Sequence, residues 1–187
     1  MISPSPESEK LWRKCKMPLE IERRFLVSLP PEHEPWKAVP VPFEESLIQQ
    51  VYLPCETGVD RLRWRFWPYK PLIQCDRTQK LRIAKGEAEE TIKKIGVTEY
   101  LSLKTAMDTE LRIIKKRRLV FNWPEEGGHA FELDMFLEPS GLTILEVELP
   151  SLDADVTLPT FLGELKEITG DNRWSNEAIA RRDWERP

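Results

Sequence analysis

The chain has 187 residues, enough for one domain with a substantial core, and a formal net charge of −4 from 28 basic and 32 acidic side chains. So mild a balance argues against a dedicated nucleic-acid binder, whose electrostatic footprint is strongly basic. No apolar run is long enough to span a bilayer, and residues 1–16 lack the apolar centre of a secretory signal, so neither a nucleic-acid nor a membrane partner is expected.

Residues 1–16 are polar and proline-bearing and are expected to form a flexible extension, with a single domain over 17–187. Leu19 to Val27 alternates: Leu19, Ile21, Arg23 and Phe25 share one strand face, and Glu20, Glu22 and Arg24 the other. Residues 28–42 hold several prolines and read as a loop. Ile48 to Leu53 and Leu62 to Trp67 predict strands, the second halted by Pro68. Gln79 to Ile83 predicts another. Glu87 to Ile95 predicts a short helix, because Ala88, Ile92 and Ile95 recur at helical spacing and Gly96 can end it. Glu99 to Thr105 alternates again and predicts a strand carrying Tyr100, Ser102 and Lys104 on one face. Gly127-Gly128 predicts a turn joining Arg117–Trp123 and Ala130–Phe136 into a hairpin. Leu142 to Leu149 is a further strand, and Asn176 to Trp184 a closing helix capped by Ser175 or Asn172.

Like charges sit two residues apart in five of these segments: Glu20 with Glu22, Arg63 with Arg65, Lys116 with Arg118, Glu132 with Asp134, and Glu146 with Glu148. On a strand such pairs share a face at about 7 Å and repel. Two arrangements accommodate them: charged faces turned to solvent around an apolar core, or a barrel with charges inside and helices over its apolar exterior. Same-sign pairing favours the second, since a solvated face more often mixes signs. Paired carboxylates suit a hard divalent cation, and paired arginines and lysines suit phosphate. With only His33 and His129 present, and Cys15, Cys55 and Cys75 lacking zinc-ligand spacing, any metal is expected on oxygen ligands; the thiols read as reduced, in a cytoplasmic protein.

The segment Glu20-Ile21-Glu22-Arg23-Arg24-Phe25-Leu26-Val27 resembles the Glu-x-Glu-x-Lys opening of the CYTH family, the triphosphate tunnel metalloenzymes. Later segments match in order. Gln50-Val51-Tyr52-Leu53 is similar to the family's second strand, Leu62-Arg63-Trp64-Arg65 to its Arg-x-Arg strand and Tyr100-Leu101-Ser102-Leu103-Lys104 to its lysine-bearing strand. Ile114 to Arg118 resembles its Lys-x-Arg strand, and Phe131 to Phe136 and Leu145 to Leu149 resemble its closing acidic strands. Ile168-Thr169-Gly170-Asp171 and Asn176 also fit. The likeness runs from about Met17 to about Ala180, with a poorly matched middle.

The resemblance implies an α+β fold: an antiparallel eight-stranded β-barrel with a polar, charged lumen and helices packed outside. It implies hydrolysis of a triphosphate, inorganic triphosphate foremost, by a phosphoanhydride hydrolase that uses Mg2+ or Mn2+. An adenylyl cyclase, or a polyphosphate- or nucleotide-binding module without the chemistry, are the alternatives. Carried over by position, Glu20, Glu22, Asp134, Glu146 and Glu148 form the metal side, and Arg24, Arg63, Arg65, Lys104, Lys116 and Arg118 hold the phosphates. Arg24, Tyr52 and Glu22 are the candidate catalytic residues. The partners expected are a triphosphate or polyphosphate and the cation, with the chain a monomer or homodimer. Two departures stand out. Arg24 replaces the family lysine, and arginine does not give up its proton; on the resemblance alone, Arg24→Lys is expected to keep or raise activity. No Arg-x-Glu-x-Glu strand precedes Lys116, and extra residues lie between Arg65 and Glu99.

Overall fold

The computed structural model describes residues 21–28, 37, 39–84, 87–124, 128–151 and 154–186. Among these residues nine strands form one sheet: β1 (Ile21–Ser28), β2 (Phe43–Leu53), β3 (Val59–Trp67), β4 (Leu72–Ala84), β5 (Glu87–Ile95), β6 (Ile114–Trp123), β7 (His129–Glu138), β8 (Leu142–Leu149) and β9 (Glu164–Glu167). Their order is β5-β4-β3-β2-β6-β7-β8-β1-β9, and neighbours run antiparallel. Helix α1 (Val97–Lys104) follows β5, and α2 (Asn176–Ala180) lies near the C-terminus. No helix among the described residues is long and apolar enough to cross a membrane.

The antiparallel, mostly β architecture agrees with the sequence reading, but three expectations change. The sheet has nine strands rather than eight, and its order has two ends, with no ladder joining β5 to β9 among the described residues. It is therefore not the closed eight-stranded barrel expected. The short β9 adds to the free edge of β1 and stops after four residues. Residues 87–95 form an edge strand paired to β4 over Cys75–Ala84, not a helix. The backbone partners that β4 offers outweigh the helical spacing of its apolar residues. Residues 99–105, expected as a strand, belong to α1, where Tyr100 and Leu103 share one helical face against the sheet.

Register sorts the sheet into two faces, because residues directly opposite share a face and neighbours along a strand alternate. One face is apolar. Phe25, Leu119, Phe121, Phe131, Leu133, Leu145 and Val147 form a cluster covered by Leu162 and partly by Val156 and Phe161. Val51, Leu62, Cys75 and Ile95 form a second, covered by Tyr100 and Leu103 of α1. Lys115 and Arg117 also point this way and pair with Glu138 and Glu45. The other face carries the charges. One end of it is apolar: Leu26, Tyr52, Ile114, Phe136 and Ile144 pack against Ile168, Trp174, Ile179 and Ala180 of the C-terminal segment.

That segment is fastened at several points. Ser175 caps α2 by accepting from the Ala178 amide at 3.1 Å, the cap anticipated from the sequence, although the helix ends at Ala180. Leu111 and Arg181 form a β-bridge, the Arg112 amide donates to the Ala180 carbonyl, and the Arg112 side chain donates to the Arg181 and Arg182 carbonyls.

Candidate active site

The charged face is divided by sign. On β3, Arg61, Arg63 and Arg65 recur every second residue. On β6, Lys116 and Arg118 do the same, facing Phe136 and Asp134 of β7. Beyond them, Glu132 on β7 lies opposite Glu146 on β8, and Glu148 lies opposite Glu22 on β1. Thus four carboxylates form two directly opposed like-charged pairs, an arrangement that repels unless a cation intervenes.

Arg118 sits at the boundary. Its Nε and Nη2 donate to the two oxygens of Asp134 at 2.6 Å each, a bidentate pair, while Nη1 donates to Glu132 and Nη2 also to Glu146 at 3.2 Å. Lys116 Nζ donates to Asp134 and lies 5.4 Å from the centroid of the Phe136 ring. Asp134 is 1% exposed. Two cations against one buried carboxylate hold its pKa well below the usual range, Arg118 contributing most, although burial alone would raise it. Asp134 thus serves Arg118 and Lys116 as counterion, and both its oxygens are engaged.

The basic half has a different character. Burial lowers the Arg65 pKa, and Arg63 and Arg118 push the same way: the guanidinium stands among like charges. Its Nε is buried without a hydrogen-bond partner, and its fork lies 5.4 Å from the Trp67 ring centroid. Arg63 donates through Nε to Asp76 at 3.1 Å, while the second Asp76 oxygen is buried and unpartnered. A cluster of guanidiniums with an unused donor fits an anion.

Of the residues singled out from the sequence, Glu22, Arg24, Tyr52, Arg63, Arg65, Lys116, Arg118, Asp134, Glu146 and Glu148 lie on this face. Glu20 lies outside the described residues. Tyr52 is at the apolar end, buried under the C-terminal segment, and burial raises its pKa far above the ordinary phenol value, which keeps it neutral. Lys104 is not brought to the site. As the last residue of α1 it donates to Gln49 at 2.9 Å, and Gln49 points to the apolar side. We expect Lys104→Met to leave KM for a phosphorylated substrate within about twofold, because the half-buried ammonium is engaged with Gln49 on the opposite side of the sheet from the charged face. Steady-state kinetics on the purified variant check this.

Sequence reasoning missed Arg61, Asp76, Lys80 and Lys94, which register places on the charged face. The signal was present in β4, where Asp76, Thr78 and Lys80 alternate, but only residues 79–83 read as a strand. Lysines therefore do reach this face from the poorly matched middle, from β4 and β5 instead of from residue 104.

An antiparallel sheet with one face split into a basic and an acidic half defines a class: proteins that grip a polyanion beside a site suited to a hard cation. Comparison with known proteins narrows it. No family model matches the chain. It is 34% identical over 168 residues to an inorganic triphosphatase of Nitrosomonas europaea, covering 86% of this chain and 96% of that protein. An inorganic triphosphatase of Acetivibrio thermocellus is 31% identical over 126 residues, 67% of this chain and 60% of that protein. A crystal structure of an inorganic triphosphatase superposes with a TM-score of 0.56 at 33% identity, over 88% of this chain and 95% of that one. The chain belongs to the inorganic triphosphatase family, the CYTH-type group whose strand motifs it carries.

Proposed function

We propose that this chain hydrolyses inorganic triphosphate with a divalent cation, Mg2+ or Mn2+. The observation that carries the reading is the guanidinium cluster of Arg63, Arg65 and Arg118, with Arg65 Nε unpartnered, next to the opposed carboxylates Glu22 and Glu148. The relatives named as inorganic triphosphatases support it.

The donor set fits the ion: Glu22 and Glu148 face each other across β1 and β8 and offer only oxygen. Glu146 stands beside them but already accepts from Arg24 and Arg118. Among the described residues no three acidic, histidine or cysteine side chains converge on one point; Glu20, matched with Glu22 to the family's opening motif, is the third carboxylate proposed from the sequence. When bound, the cation offsets charge on the phosphoryl oxygens and the leaving group.

The chain's own groups do the rest. Arg63, Arg65 and Arg118 neutralise the polyanion and fix its orientation, with Lys116 beneath them held by Asp134. Water attacks the terminal phosphorus, the bridging P–O bond breaks, and pyrophosphate leaves with the bond's electron pair. Glu22, on the acidic half and half-exposed, is the carboxylate proposed to take the water's proton, on the oxygen it does not give to the cation. Arg24 and Tyr52 are poorly suited to that step, the first always charged and the second held neutral by burial.

Phosphate release from triphosphate, with ATP in parallel and with Mg2+, Mn2+ or chelator, tests the reading. Metal-dependent release from triphosphate with ATP nearly inert is the result expected. Cyclic AMP and pyrophosphate from ATP would assign a cyclase, and tight triphosphate binding without turnover a receptor.

A further inference from the structure

Arg24 is held by the protein through both its backbone and its side chain. Its backbone amide donates to Thr169 Oγ1 at 3.0 Å, and its carbonyl accepts from the Ile168 amide at 2.9 Å. Its Nε donates to Glu146 Oε1 at 2.9 Å, and its Nη2 donates to the Trp174 carbonyl, also at 2.9 Å. Its side chain is only 10% exposed. Two guanidinium nitrogens, Nε and Nη2, are therefore used inside the molecule, the first on a carboxylate of the acidic half and the second on the C-terminal segment.

The segment it grips matters to the site. Trp174 is buried in the apolar cluster that closes one end of the charged face. Two residues on, Asn176 Oδ1 lies 3.4 Å from Lys116 Nζ, the ammonium beneath the phosphate-binding arginines. From β1, Arg24 thus sets the position of Glu146 directly and of Lys116 through residues 174–176.

We propose that Arg24 is a positioning residue, a strut that fixes Glu146 and the segment 168–176 to β1, and neither a proton acceptor nor a phosphate ligand. The effect on turnover rests on the hydrolase reading above; the effect on the segment does not. The geometry also reverses the expectation for Arg24→Lys. Glu146 and the Trp174 carbonyl are met by two different nitrogens held apart in a rigid plane, whereas lysine concentrates its donors on one atom. A lysine here satisfies one acceptor and leaves the other without its charge-assisted bond, worth about 1.5–3 kcal/mol, or about 13- to 160-fold in an equilibrium.

The test uses the full chain with Arg24→Lys. Amide hydrogen exchange is followed over residues 168–180 in metal-free protein, and kcat, KM and the pH–rate profile are measured with triphosphate and Mn2+. The strut predicts exchange in 168–180 faster by about tenfold or more, kcat down by about tenfold, KM within about threefold, and an alkaline limb that does not move. Unchanged exchange overturns it, as does a loss carried mainly by KM (a phosphate ligand) or a shifted alkaline limb (a group taking part in proton transfer). Thr169→Val removes the acceptor for the Arg24 amide, together with the Thr169 hydroxyl's donation to Glu167, while leaving the Arg24 side chain in place, and keeps the inference testable if Arg24→Lys does not fold. It predicts a smaller acceleration in the same residues, and no acceleration overturns the strut. If the wild-type chain releases no phosphate, the hydrolase reading fails while the exchange comparison still decides on Arg24.

Discussion

Glu148→Gln is expected to lower metal-dependent turnover of triphosphate by about 100-fold, since a divalent cation contributes several kcal/mol of charge stabilisation and the amide is a much poorer ligand for it. Glu148 lies exposed on β8, directly opposite Glu22, and the substitution keeps its size. The fold is therefore expected to survive, with a melting temperature within about 4 °C of the parent. Mn2+ titration should show the affinity of the variant falling alongside its rate. A folded Glu148→Gln protein with normal turnover would remove this residue, and the Glu22–Glu148 pair with it, from the metal site.

The largest effect on stability is expected from Asp134→Ala. The carboxylate is buried between Arg118 and Lys116, and its removal leaves two buried cations without their main counter-charge. Breaking such a network from one side costs about 3–5 kcal/mol, which chemical denaturation would read as a lower midpoint at unchanged m-value. Glu132 and Glu146 also accept from Arg118, so the loss should fall on Lys116 first. The same network gives the protein an acid limb. The Asp134 pKa is lower in the folded chain than in the unfolded one. Its stabilisation is therefore complete above the ordinary carboxylate value of about 4 and drains away as pH falls below it towards the folded value. Unfolding midpoints between pH 6 and pH 2 should fall steeply in the parent and more shallowly in Asp134→Ala. Parallel slopes would show that Asp134 is not the group responsible.

Period-two alternation carried most of the strand content. It placed β1, β3, β6, β7 and β8 and put Lys116 and Arg118 on one face, because a strand leaves each side chain only two directions. The pairing of β6 with β7 and the Ser175 cap were legible for the same reason: each joins residues close in sequence; Gly127 itself lies outside the described residues. The middle was not. Glu87–Ile95 has apolar residues at helical spacing and Glu99–Thr105 alternates like a strand, yet the fold makes the first a strand and places most of the second in the helix Val97–Lys104. Backbone partners on β4 and a patch of apolar surface over Val51, Leu62 and Cys75 decide both, and neither is visible within an eight-residue window. Misplacing Lys104 was a direct consequence, and so was overlooking Asp76, Lys80 and Lys94.

The sequence alone determined that like charges would share a strand face and that the chemistry would be that of a polyanion and a hard cation, because the alternation and the residue types are local facts. Only the tertiary structure decided which charges meet: Asp134 inside the cation pair, Glu22 against Glu148, and Arg24 on both Glu146 and the Trp174 carbonyl. Those partners lie from 16 to 150 residues apart, and their pairing depends on strand order and register, which long-range packing sets.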